Sequence, residues 1–199
     1  MKIGVLGGTF DPIHFGHLAA ASAAADCAEL DRVLFIPSAQ PPHRADAIAP
    51  APHRLEMTRL AVTGHESFAV SDIEMRRDGP SYTSDTLVEL QRNHPRDELW
   101  LILGWDAARL FSTWHEPEKI KQLASFVVVS RPGTPTPHAD ELTAAGFDPV
   151  HVVLCLRHTP DISASELRQA IASGESISQS VPEPVAAYIA AHHLYWDNR

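Results

Sequence analysis

Residues 2–18 read KIGVLGGTFDPIHFGHL. Ile3, Val5 and Leu6 are nearly continuous in apolar character, which predicts a short strand buried on both faces. Gly7 and Gly8 then allow the backbone to approach a ligand closely. The helix expected from His17 onward opens with unpaired N–H groups and a partial positive charge. Strand, glycine turn and helix start together make an anion site. His14 and His17 stand three residues apart at that start, so both imidazoles can turn toward one anion. A glycine turn carrying two incidental histidines is the alternative. Both common phosphate loops fail here, because the stretch lacks G-x-G-x-x-G and no Gly-Lys-Ser/Thr follows.

Beyond this stretch the pattern repeats. Strand-length apolar runs recur at residues 32–36, 68–73, 98–103, 125–130 and 150–154, after the first at 2–6. Helical stretches fall between and after them, at 17–30, 52–62, 84–93, 118–123, 163–173 and 184–192. Alternation of this kind means βαβ crossovers, hence an α/β fold with a doubly wound, mainly parallel sheet. Ligands of such sheets bind beyond the carboxyl ends of the strands, where the strand order reverses. The Pro-rich pieces at 38–52 and 131–138 are short and sit between βα elements, so they are expected as loops of a single domain, residues 1–199. No internal repeat or low-complexity tract interrupts it.

Composition narrows the function. The 199 residues carry 16 Lys+Arg against 25 Asp+Glu, a formal charge of −9, which disfavours the clustered positive face that nucleic-acid binding needs. Phosphate recognition, if present, is local to a pocket. The longest small-apolar tract, residues 18–27, is broken by Ser22 and Asp26, so no membrane span is expected. The opening residues are too short in apolar length for a signal peptide, and a cytoplasmic protein is expected. Cys27 and Cys155 form no CxxC and are expected as buried free thiols. His14 and His17 have no Glu in an H-E-x-x-H arrangement and no Cys partner, so no metal site is assigned to them.

A second cluster lies at residues 161–168, DISASELR. Ser163 with Glu166 three residues later spells a capping box, which places Ser163 at the N-cap of a helix. Ser165 falls near the open amides, and Arg168 is placed to fold back beside them. Hydroxyls, helix start and a forked guanidinium also compose a polyphosphate clamp. Cap and clamp both remain open on these residues alone.

GGTFDPIHFGH with a distal ISxSxxR resembles the nucleotidylyltransferase superfamily marked by His-x-Gly-His, and specifically the bacterial nicotinate-mononucleotide adenylyltransferases. The likeness extends through PSAQPPHR at 37–44, SYTSDTL at 81–87, GWDAARLFSTWHEPEKI at 104–120, SRPG at 130–133 and VPEPVAAYIAAHHLY at 181–195. It implies a Rossmann-like nucleotidylyltransferase fold and adenylyl transfer from ATP to nicotinate mononucleotide, with Mg²⁺ carried mainly by the phosphates.

By the same likeness His14 and His17 meet the ATP phosphates, while Ser163, Ser165 and Arg168 hold the departing pyrophosphate. Catalytic roles are expected for His14, His17 and Arg168. Gly8, Thr9, Phe10, Gly104 and Asp106 are expected to line the ATP site, with Asp106 also suited to a helix N-cap. His43 and Arg44, with Tyr82, Thr83, Thr86 and Trp114, are expected to hold the mononucleotide, Trp114 by stacking. Trp105, and Ala164 with Glu166, depart from the residues usual at those positions, and Asp46 has no assigned role. The alternatives are another adenylyl- or cytidylyltransferase of the superfamily, taking phosphopantetheine or a small alcohol phosphate, and a non-catalytic nucleotide-binding regulatory module. A homo-oligomer is compatible with the sequence, which does not reveal the oligomeric state.

Overall fold

The structure, a computed structural model, describes residues 1–41, 47–130, 137–157 and 159–196. Among them, β1 (Lys2–Gly8), β2 (Arg32–Pro37), β3 (Phe68–Val70), β4 (Glu98–Gly104), β5 (Ala124–Val129) and β6 (Val152–Cys155) form one sheet in the order β3-β2-β1-β4-β5-β6. Every neighbouring pair is parallel. Alternate side chains enter opposite layers, as the pleat requires. Leu6, Phe35, Ile102 and Val127 join one core with residues of α1 (Phe15–Ala28), α2 (Ala51–Val62), α7 (Ala164–Ala172) and α8 (Glu183–Ala191). Val5, Ile36, Leu101 and Val128 join the other, with α3 (Thr83–Asn93), α5 (Pro117–Leu123) and α6 (Ala139–Ala144). Both faces are covered, so continuous apolar strands are the stable solution.

Strand order reverses between β1 and β4, and there the sheet opens. Their ladder ends at Val5↔Leu101, whereas β1 stays paired with β2 to Gly8↔Pro37 and β4 with β5 to Gly104↔Val129. The carboxyl ends of the two central strands therefore diverge at the switch point.

Three expectations need correction. The third strand ends at Val70, and residues Ile73–Arg76 form a 3-10 turn. As an edge strand β3 has a single neighbour to prolong it, and the Ser71 hydroxyl accepts the Ile73 N–H and turns the chain. Two helices were not expected, α4 (Trp105–Ala108) and α6, of four and six residues, too short for a helical period to register. Finally, Cys27 and Cys155 are joined in a disulfide, with Cα atoms 5.7 Å apart, rather than being free thiols. Helix α1 packs across β5 and β6 and brings Cys27 over the end of β6, a juxtaposition that the 128-residue separation conceals. No helix among the described residues is long and apolar enough to cross a membrane.

Candidate active site

The β1–α1 turn is shaped by what its glycines omit. A Cβ on Gly8 would lie 2.9 Å from the ring of Phe10, which is buried with φ of 49°, in the left-handed region, and packs on Phe35 and on the edge of His17. A Cβ on Gly16 would lie 2.9 Å from His14 Nδ1, so the glycine of His-x-Gly-His makes room for the first histidine. His14 is the N-cap of α1 and only 3% exposed. Its backbone N–H donates to His17 Nδ1 at 3.3 Å, and the two rings stack with centroids 3.7 Å apart. A neutral His17 therefore carries its ring proton on Nε2, as a donor. Above this turn, a Cβ on Gly7 or on Gly104 would meet no protein atom within 4 Å. Both glycines lie beyond the last paired residues of β1 and β4, where those strands diverge.

The start of α7 arrives at the same place. Ser163 is its N-cap residue, but the expected capping box with Glu166 does not form. Instead the Ser163 and Ser165 hydroxyls bond each other at 2.7 Å. Two short hydroxyls at neighbouring positions of the turn satisfy one another. One turn on, Arg168 Nη1 donates to the Asp11 carbonyl at 2.8 Å, binding α7 to the β1–α1 loop across 157 residues. Thus His14, His17, Ser163, Ser165 and Arg168 are brought together, with Thr9 and Phe10 on the intervening backbone.

Across the opening stand the residues expected for the acceptor. Gly104, not Asp106, is the N-cap of α4, because the helix begins directly at the strand end. Asp106 is exposed in its first turn, 3.6 Å from Arg109. Tyr82 is the N-cap of α3 and Thr83 its first residue. Thr86 is 2% exposed, and its hydroxyl donates to Glu74 at 2.7 Å, so that side chain supports the site from behind. Burial raises the Glu74 carboxyl above its ordinary range, opposed by hydrogen bonds from Thr86 and Ser81 and then by the charges of Arg77 and Arg54. Trp114 is half-buried beside Phe111, ring centroids 5.7 Å apart. His43 and Arg44 lie outside the described residues.

Several residues here carry no isolated sequence signal. The Ser81 hydroxyl accepts the N–H groups of Ala39 and Gln40 at 3.0 and 3.1 Å and so joins the loop after β2 to the start of α3. His115 stacks on Tyr82, centroids 4.1 Å apart. Beneath the phosphate side, Arg54 is 1% exposed and donates to three carbonyls, Thr9 at 2.7 Å, Ala49 at 3.0 Å and Ala39 at 3.4 Å. Burial pushes its guanidinium below its ordinary value, and the charges of Asp11, Tyr195 and Glu74 oppose this. The Asp11 carboxylate accepts Ile48 N–H at 2.8 Å, Ala49 N–H at 3.1 Å and the Tyr195 hydroxyl at 2.7 Å. Arg54 shares the buried face of α2 with Met57, Thr58 and Ala61. Tyr195, 184 residues from Asp11, offered no sequence signal.

Comparison with known proteins agrees with this fold. The cytidylyltransferase-like family matches residues 5–170. A protein of Thermus thermophilus named "Probable nicotinate-nucleotide adenylyltransferase" is 46% identical over 98% of this chain and 100% of its own length. One of the same name from Pseudomonas syringae pv. tomato is 42% identical over 98% of this chain and 93% of its own. Among solved structures, the Plasmodium falciparum nicotinic acid mononucleotide adenylyltransferase complexed with NaAD shares the fold, with a TM-score of 0.79, 19% identity, and coverage of 98% and 97% of the two chains. With relatives this similar along its whole length, the chain belongs to the cytidylyltransferase-like family and, within it, to the nicotinate-nucleotide adenylyltransferases.

Proposed function

We propose that this protein transfers the adenylyl group of ATP to the 5′-phosphate of nicotinate mononucleotide, releasing pyrophosphate and giving deamido-NAD, as a single cytoplasmic domain in NAD biosynthesis. The observation that carries this reading is the bond from Arg168 to the Asp11 carbonyl, which joins α7 to the β1–α1 loop beside the β1/β4 opening. It draws two helix starts, two imidazoles, two hydroxyls and a guanidinium into one part of the fold. That is a donor array for a polyphosphate.

The attacking phosphate oxygen is already ionised at neutral pH. No general base and no covalent nucleophile is needed. What the protein supplies is alignment of two mutually repelling phosphates and stabilisation of the charge that develops on the α-phosphoryl group and the leaving pyrophosphate. His14 and His17 act on the transferring phosphoryl group. Ser163, Ser165 and Arg168 hold the leaving group, and Thr9, Phe10, Gly104 and Asp106 border the nucleotide. Tyr82, Thr83 and Trp114 bound the acceptor.

The donors at this site suit anions rather than a cation. Among the described residues no group of three or more His, Cys, Asp or Glu side chains could hold a metal ion. Mg²⁺ would be brought in by the ATP phosphates and would supply charge neutralisation there.

The open amides at the start of α3 favour a carboxylate over a carboxamide, whose NH₂ would face N–H groups with no acceptor between them. Pyrophosphate release is therefore expected with ATP and nicotinate mononucleotide, at a kcat/KM at least about tenfold above that with the amide. Equal rates with both would make a dual-specificity enzyme the better description, and release with neither would reject the reaction.

A further inference from the structure

Asp11 is 5% exposed, and separate parts of the chain converge on it. Its carboxylate holds the amides of Ile48 and Ala49, which lead into α2. The same carboxylate takes the hydroxyl of Tyr195, from the turn after α8. Its own carbonyl takes Arg168, from α7. The residue also lies three positions before His14, inside the loop that carries both histidines. Arg54 completes the structure by fixing Thr9, Ala39 and Ala49 from below. A buried carboxylate is costly unless its oxygens are satisfied, and here each bond that satisfies it also sets the position of a segment bordering the site.

We infer that Asp11 and Tyr195 are positioning residues for the reaction: together they hold the Arg168 clamp, the two histidines and the segment entering α2 in one relative geometry. The turn after α8 thereby becomes part of the active-site framework. Tyr195 is 5% exposed, and its hydroxyl is directed at this carboxylate. Removing that hydroxyl leaves the amides of Ile48 and Ala49 as the carboxylate's hydrogen-bond donors among the described residues, with the Arg54 charge nearby. The loop then gains freedom in the direction of Arg168, and placement errors well below the size of an atom weaken phosphate alignment.

This inference rests on the adenylyltransferase reading for its turnover measurement, and a binding measurement separates the two. Tyr195→Phe keeps the buried ring and deletes only the hydroxyl. It is expected to melt within a few degrees of the wild type, to lower kcat about tenfold, and to weaken binding of a non-hydrolysable ATP analogue about three- to tenfold. Combined with Arg168→Lys, the loss in analogue affinity should fall short of the product of the two single losses, because one variant acts through the other. Asp11→Asn should reproduce the Tyr195→Phe pattern more strongly. If Tyr195→Phe lowers the melting temperature but leaves kcat and analogue affinity unchanged, or if its effect multiplies independently with that of Arg168→Lys, the positioning role is overturned. A wild-type protein that binds the analogue with this coupling yet transfers nothing to nicotinate mononucleotide would reject the reaction while leaving the inference standing.

Discussion

The two banks of the active-site opening are built differently. On the phosphate bank, His14, Gly16 and His17 lie within four residues, and each shapes the next: the glycine admits the His14 ring, and the His14 amide orients His17. On the acceptor bank, the loop after β2 is held by Ser81, from a distant part of the chain, and Tyr82 is held by His115. Local spacing sets the histidine turn of the first bank, which one long-range bond then joins to Arg168, whereas tertiary packing sets the second throughout. Damage on the phosphate bank should accordingly strike the chemical step, whereas damage on the acceptor bank should strike affinity for one substrate.

The largest effect belongs to the phosphate bank. In the proposed reaction His17→Ala removes a preorganised donor from a phosphoryl group that gains charge in the transition state, and kcat/KM is expected to fall about 10²–10³-fold. Its melting temperature should change little, since His17 is only half-buried. A parallel collapse of stability and activity would instead assign the histidine to the cap alone.

Ser81→Ala probes the opposite bank. Two backbone amides lose their shared acceptor, so KM for the mononucleotide should rise about three- to tenfold while KM for ATP stays put. Equal changes in both would show that the banks are not separable in this way.

The smallest effect concerns support rather than contact. Burial raises the Glu74 carboxyl, so in the folded protein it holds its proton to higher pH than in the unfolded chain. Its contribution to stability is complete below its ordinary value of 4.5 and is lost as pH rises through the elevated folded value. Glu74→Gln keeps an acceptor for the Thr86 hydroxyl and does not ionise. Melting curves from about pH 4 to about pH 8 should show the variant gaining on the wild type as pH rises. A constant offset across that range would contradict the assignment.

Much of this was legible in the residues themselves. All six strand runs were visible because a sheet covered on both faces demands unbroken apolar segments, and the parallel order followed from the helices between them. The phosphate bank was legible for the reason that distinguishes it, since its signals are contiguous. Ser163 and Arg168 could be found from a helix-start pattern, although the hydroxyl pairing of Ser163 with Ser165 could not. What remained hidden shares one cause. Cys27 with Cys155, Tyr82 with His115, and Asp11 with Tyr195 are each defined by a distance in space between residues whose separation in the chain says nothing about it. The same holds for Thr86, expected at the acceptor site by family likeness, whose bond to Glu74 nothing in the spacing announces.

In the proposed reaction the protein aligns two phosphates and takes no covalent part. The stereochemical course of transfer decides this, using ATP made chiral at the α-phosphorus by sulfur substitution. A single in-line displacement by the mononucleotide phosphate inverts the configuration, and inversion is the expected result. Retention would require two displacements through an adenylylated side chain and would rule out direct transfer.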